Sequence, residues 1–276
     1  MYKRQVTTIS KLDDSLILKS NTKVCYKVFL NGILTITSES IKMSPITDIA
    51  PKLIWEDSVI QHEFRYVDKV QQQKSLYVDY LAKGLNGSDE YKQLCVGYLG
   101  HDSKQGEQYM ICLLEPMDTV IGGGTGKNQF CYMLSPWTSV LTTDAQALKR
   151  DVDQLIQNWD GQRIIHLSDM PKWTDLGRLK NIITDDSQRK LLYKDITNIS
   201  KDDMPKFVLS GQHGLDTESD GGVKRRARVL SFSGYFNRAH GLRDEYGGCL
   251  LYTSQNASAE RLRGENPRND KEPILV

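Results

Sequence analysis

Polar and apolar positions alternate from about Leu16 to Ile41, most clearly in Lys23-Val24-Cys25-Tyr26-Lys27-Val28-Phe29 and again in Ile33-Leu34-Thr35-Ile36-Thr37. Alternation carried by β-branched residues predicts two half-buried strands, and the Asn31-Gly32 dipeptide between them predicts a tight hairpin turn. Pro45, Pro51 and the run Leu53-Ile54-Trp55 come next, the pattern of a connector that packs on its surroundings. From Val67 to about Leu99 the period lengthens. Leu76, Tyr80 and Leu81, then Tyr91, Leu94, Cys95 and Tyr98, recur at threes and fours around a break from Gly84 to Ser88. That is a helical pattern whose aromatic residues are core candidates. Three apolar runs then predict buried strands: Tyr109-Met110-Ile111-Cys112-Leu113-Leu114, Arg163-Ile164-Ile165-His166-Leu167-Ser168-Asp169, and Pro205-Lys206-Phe207-Val208-Leu209-Ser210-Gly211-Gln212. Helices are predicted from Lys127 to about Leu134 and from Asp144 to Trp159. Buried strands separated by helices imply an α/β fold, a mostly parallel sheet flanked by helices, behind a small β and helical segment.

Composition adds boundaries rather than chemistry. The 276 residues are 26% charged and 39% hydrophobic, enough for one or two cored domains, with a net charge of +1 that neither demands nor excludes a nucleic-acid partner. No run approaches the about 20 apolar residues that a membrane-spanning helix needs, so the expectation is a cytoplasmic protein with no membrane partner. No two of Cys25, Cys95, Cys112, Cys131 and Cys249 stand at C-x-x-C spacing, and they read as reduced, mostly buried thiols.

The first strand of the three runs into Val120-Ile121-Gly122-Gly123-Gly124-Thr125-Gly126-Lys127-Asn128. Successive residues without Cβ let backbone N–H groups turn inward on a phosphate, and a lysine at the start of a helix adds positive potential. Strand, glycine loop and helix together form the context of a phosphate-binding loop of the Walker A kind. Ile121 stands where that pattern has its first glycine, and Asn128 where it has a hydroxyl residue. The second strand ends in Asp169, as a strand holding a carboxylate for Mg²⁺ would. The third ends in Gln212, an amide able to orient water or sense the γ-phosphate. Lys224-Arg225-Arg226-Ala227-Arg228 then supplies forked, permanently charged side chains suited to a γ-phosphate. His166, alternating with apolar neighbours, reads as a satisfied core residue.

The residues Gly-Gly-Gly-Thr-Gly-Lys-Asn, Ile-Ile-His-Leu-Ser-Asp, Leu179-Lys180-Asn181-Ile182-Ile183-Thr184-Asp185-Asp186, Pro-Lys-Phe-Val-Leu-Ser-Gly-Gln and Lys-Arg-Arg followed by Phe232-Ser233-Gly234-Tyr235-Phe236 resemble, in order and separation, the superfamily-3 helicase domain attached to phage and plasmid primases. The resemblance spans about Tyr98 to Gly248. It implies a P-loop, AAA+-like ATPase that uses ATP and Mg²⁺ to move on single-stranded DNA during DNA replication. It also implies a ring, often a hexamer, downstream of a primase, in a bacterial host cell. Carried over, Gly122 to Lys127 cradle the phosphates, with Lys127 on the β- and γ-phosphates. Asn128 and Asp169 serve Mg²⁺, Gln212 is the sensor, and Arg225 or Arg226 is the finger from the next subunit. A hairpin from about Lys190 to Lys201 presents Lys190, Lys194 and Lys201 to DNA. The chain departs from the family at Ser168-Asp169, where two acids are usual, at Gln212, commonly Asn, and at Asn128. These departures bear on hydrolysis rate more than on nucleotide binding. Two other classes stay open: a nucleotide- and DNA-binding oligomerisation module with little turnover, and a P-loop kinase, for which no acceptor-site or lid motif is present.

The ends read differently. Met1-Tyr2-Lys3-Arg4-Gln5 and Cys249-Leu250-Leu251-Tyr252-Thr253-Ser254 resemble the two strands of one sequencing adapter translated in frame. The expected organisation is therefore a non-native scar at 1–5, a β-rich lead-in at 6–66, the ATPase domain at 67–248 and a non-native or disordered tail at 249–276. A fragment of this kind lacks its upstream primase and should assemble weakly.

Overall fold

The computed structural model describes residues 14–68, 70, 75–104, 108–115, 124–145, 153–171, 176–189, 197–211, 220–237 and 239–246. Both expected non-native ends lie outside them. The chain divides into two compact units, Met1–Arg65 and Tyr66–Val276.

In the first unit β1 (Val24–Phe29) and β2 (Gly32–Thr37) pair antiparallel. β3 (Ile41–Ser44) extends the sheet beside β2, and β4 (Val59–Ile60) runs parallel to β1. The hairpin loop is Leu30-Asn31, one residue earlier than the Asn-Gly turn predicts, because Phe29 pairs with Gly32. Two interactions fix that register. The Asn31 amide donates to Phe64 O at 2.8 Å and accepts from Phe64 N at 2.9 Å. Gly32 has φ 149° and lies so close to β3 that a Cβ would come within 2.5 Å of Ser44 O. The connector is pinned by backbone bonds of Leu53 to Leu16 and Leu18, while Trp55 is exposed.

The second unit is built on a parallel sheet of five strands: β5 (Met110–Leu114), β6 (Val140–Asp144), β7 (Ile164–Met170), β10 (Lys206–Gly211) and β11 (Ala227–Ser231). β8 (Ser187–Arg189) and β9 (Thr197–Ile199) form a separate antiparallel pair. The spatial order is β11-β5-β10-β7-β6. Alternate residues feed two apolar layers: Met110, Cys112, Phe207, Leu209, Ile165 and Leu167 on one face, and Ile111, Leu113, Val208, Ile164 and Leu230 on the other. A sheet buried on both faces requires near-continuous apolar strands, which is why these runs lack strict polar alternation.

On the first face lie α4 (Asp153–Asn158) and α5 (Leu176–Thr184), and on the second α1 (Leu76–Gly84), α2 (Asp89–Gly100) and α3 (Lys127–Tyr132). The Ser88 hydroxyl caps α2 by accepting from Tyr91 N at 3.3 Å. The buried side of α2 centres on Lys92, Cys95 and Leu99, which leaves Leu94 56% exposed. α6 (Gly221–Arg226) and α7 (Leu242–Tyr246) complete the described helices. Two sequence expectations change. Val140–Asp144 is an edge strand the periodicity did not separate, and the helix expected from Asp144 is described only from Asp153 to Asn158. The four described cysteines are buried free thiols. Among the described residues no helix is long and apolar enough to cross a membrane.

Candidate functional site

Parallel strands leave their carboxyl ends on one edge, and the order here sets β10 between β5 and β7. Leu114, Gly211 and Met170 lie in one row across the three strands. The carboxyl ends of these strands therefore lie side by side, the position at which α/β sheets bind ligands.

β5 passes directly into Glu115, which is buried. The Thr125 hydroxyl donates to Glu115 Oε1 at 3.1 Å, and Lys127 Nζ forms an ion pair with the same oxygen. Gly124 and Gly126 have φ of 85° and 90°, left-handed conformations open to residues without Cβ. Tyr80 of α1 clamps the turn from the other side, its hydroxyl donating to Gly126 O at 2.8 Å. A Cβ on Gly126 would come within 3.3 Å of both Leu242 and Tyr80. Asn128 is exposed at the second position of α3, and Gly122 and Gly123 lie outside the described residues.

β7 reaches the same edge through an irregularity. Leu209 and Gly211 of β10 face Leu167 and Met170, so Ser168 and Asp169 share the space opposite Ser210. Asp169 takes φ 52°, alone among described residues other than glycine in having a positive value, and its side chain is exposed. The bulge thus turns one carboxylate out at the end of a buried strand. Ser168, beside it, is half-buried and donates to Thr143 O at 3.3 Å. Beneath it His166 is buried, with Ser210 Oγ 2.9 Å from Nε2 and Thr142 Oγ1 3.4 Å from Nδ1, spanning three strands. Burial pushes its pKa down to about 4, against a smaller opposing pull from Asp169. Gln212, one residue beyond β10, lies outside the described residues.

The remaining candidates sit at the opposite, amino edge. α6 leads into β11, so Arg225 and Arg226 precede a strand whose five residues put them on the order of 15 Å from the carboxyl edge. The Arg226 guanidinium donates to Gly222 O of its own helix at 3.1 Å, whereas Arg225 is exposed. Arg228 is stacked 3.9 Å from the Tyr109 ring centre. The α6 cap, Asp220, accepts from Gly222 N and Val223 N, and Lys180 beside it holds its carboxyl below the usual range. The β8–β9 pair precedes β10 at this edge too. Lys201 is exposed just after it, its N–H bonded to Asp186 Oδ1 at 2.9 Å, while Lys190 and Lys194 lie outside the described residues.

The structure therefore gathers Gly124, Thr125, Gly126, Lys127, Asn128 and Asp169 on one edge and keeps Arg225, Arg226 and Lys201 on the other. Glu115 escaped the sequence reading. Its signal is the one that picks out Asp169, an apolar strand ending in an acid, but the glycines beyond it are the stronger pattern.

No known protein family matches the chain, and no curated protein does. Among solved structures it is similar to an A form apo structure of the NrS-1 C-terminal region, with 12% identity and a TM-score of 0.44 over 89% of this chain and 66% of that one. A second structure of that region gives 12% identity and a TM-score of 0.38 over 76% of this chain and 58% of the other. The matched spans are less than two thirds of those chains, and a likeness this distant assigns neither family nor activity.

Proposed function

We propose that the second unit is an ATPase of the superfamily-3 helicase kind, a P-loop module that hydrolyses ATP to move on single-stranded DNA as part of a phage or plasmid primase-helicase. The observation that carries this reading is the strand order. The loop closed by Lys127 comes after β5, Asp169 is turned out at the end of β7, and β10, which leads to Gln212, lies between them. One nucleotide on that edge would meet all three.

Lys127 neutralises phosphate charge at short range, and the left-handed glycines at 124 and 126 let the backbone approach the phosphates. The residues present fit a bound Mg²⁺: the exposed Asp169 carboxylate and the Asn128 amide oxygen would hold it, since this ion takes few protein oxygens beside substrate phosphates. When bound it would neutralise charge developing on the phosphates. Asp169 also orients the attacking water, and Gln212 holds that water or reads the γ-phosphate. Arg225 and Arg226 are too far from their own loop to help there, so a finger role belongs to a neighbouring copy.

Ser168 favours a second reading, a nucleotide- and DNA-binding module with little turnover, because its hydroxyl is engaged with Thr143 O where a second acid is usual. Steady-state ATPase measured with and without single-stranded DNA separates the two. Hydrolysis stimulated by DNA supports the motor. Nucleotide binding without turnover supports the low-turnover module, and no binding overturns both.

A further inference from the structure

We propose that Glu115 is an internal occupant of the phosphate site: its carboxylate holds the side-chain donors of Thr125 and Lys127, and an incoming polyphosphate must compete with it for them. The inference rests on reading Lys127 as a phosphate ligand.

Both donors converge on one atom, Glu115 Oε1. The side chains are 3% exposed for Glu115 and 10% for Lys127, so water does not screen the pair. A surface ion pair exchanges partners at little cost, but a buried carboxylate deprived of its cation is left uncompensated. The backbone leading into Glu115 is anchored. The residue before it is paired with Gly211 on one side and Ser231 on the other, and Leu114 O accepts from Phe232 N at 2.8 Å.

An ammonium has three donor hydrogens, so Lys127 can hold a phosphate without wholly leaving Glu115. In that arrangement the carboxylate and the phosphate share one cation a few Å apart, and like charges that close oppose each other strongly. Complete release strands the carboxylate instead. Either way ligand affinity is reduced by one identifiable charge. The site so built favours ligands with enough negative charge to outcompete a carboxylate, a pyrophosphate or nucleoside triphosphate over a monoanion.

The test uses the full chain, with pyrophosphate in the absence of divalent metal as the probe and calorimetry as the measurement. Glu115→Gln keeps the shape and an oxygen to accept from Thr125 while removing the charge. It should bind pyrophosphate at least about tenfold more tightly than the wild type. Glu115→Gln/Lys127→Met, which removes both charges and so leaves neither buried alone, should lose that gain. Equal or weaker binding by Glu115→Gln, with binding lost in the double variant, overturns this inference alone. If the double variant binds as tightly as Glu115→Gln, the reading of Lys127 as a phosphate ligand falls, and this inference with it.

Discussion

Asp169 combines three properties in one residue: a left-handed backbone, exposure at the end of a strand buried on both sides, and a place on the edge that carries Lys127. Asp and Asn tolerate that backbone better than other residues with a Cβ. Asp169→Asn should therefore keep the bulge and the fold, retain ATP affinity within a few-fold, and lower turnover by about 100-fold or more. Calorimetry on the variant beside its steady-state rate checks both halves. Ser168→Asp, which supplies the second acid usual in the family the sequence resembles, should raise turnover, and a rise measured at steady state supports the low-turnover reading of the present sequence. His166 carries a different consequence. Its folded pKa of about 4 lies below the ordinary value of 6.5 because the ring is buried and neutral. As pH falls from about 6.5 to about 4 the unfolded chain takes up the proton first, so stability is full above 6.5 and is lost across that window, by up to about 3 kcal/mol. Thermal unfolding at pH 7 and pH 5 should show the loss, and His166→Gln should shrink it.

At the level of elements, the closing turn of the glycine loop is held between β5 through Glu115 and α1 through Tyr80. Tyr80→Phe removes only the hydroxyl that donates to Gly126 O and keeps the ring stacked on Phe236 at 5.7 Å. Gly126 O still accepts from Phe130 N at 3.1 Å, so the expected loss is modest, about 1 kcal/mol of stability, measurable by denaturant unfolding. The three central strands were legible because burial on both faces leaves unbroken apolar runs. Their membership of one sheet could be inferred from the strand and helix alternation. β6 was not legible: its residues are half-buried or exposed, and its Val-Leu-Thr-Thr run is too short to stand apart from the helical pattern expected after it. The hairpin was legible in existence but not in register. Asn31 is engaged with Phe64 and Gly32 with β3, contacts from distant segments that a local turn rule does not contain. In the site, glycines and Lys127 announced themselves by spacing, whereas Glu115 shows its part only once the loop has folded back to it.

For the whole molecule, the separation of the two edges decides how a ring could work. Arg225 stands exposed on the order of 15 Å from the carboxyl edge of its own sheet, so it can reach a γ-phosphate only in a neighbouring copy. Arg226 is tied to Gly222 O within its own helix and Arg228 is stacked on Tyr109, which leaves Arg225 the better placed of the three. The ATPase rate per chain should then rise with protein concentration as copies assemble. Arg225→Ala should remove that rise, and Arg226→Ala should reduce it less. The decisive experiment mixes Arg225→Ala protein with Lys127→Ala protein, each inactive alone. Where the two meet, an intact Lys127 loop faces an intact Arg225 from its neighbour, and one competent site forms. Recovery of activity on mixing supports a finger acting across subunits. No recovery, under conditions in which the wild type is active and assembled, rules Arg225 out of that role.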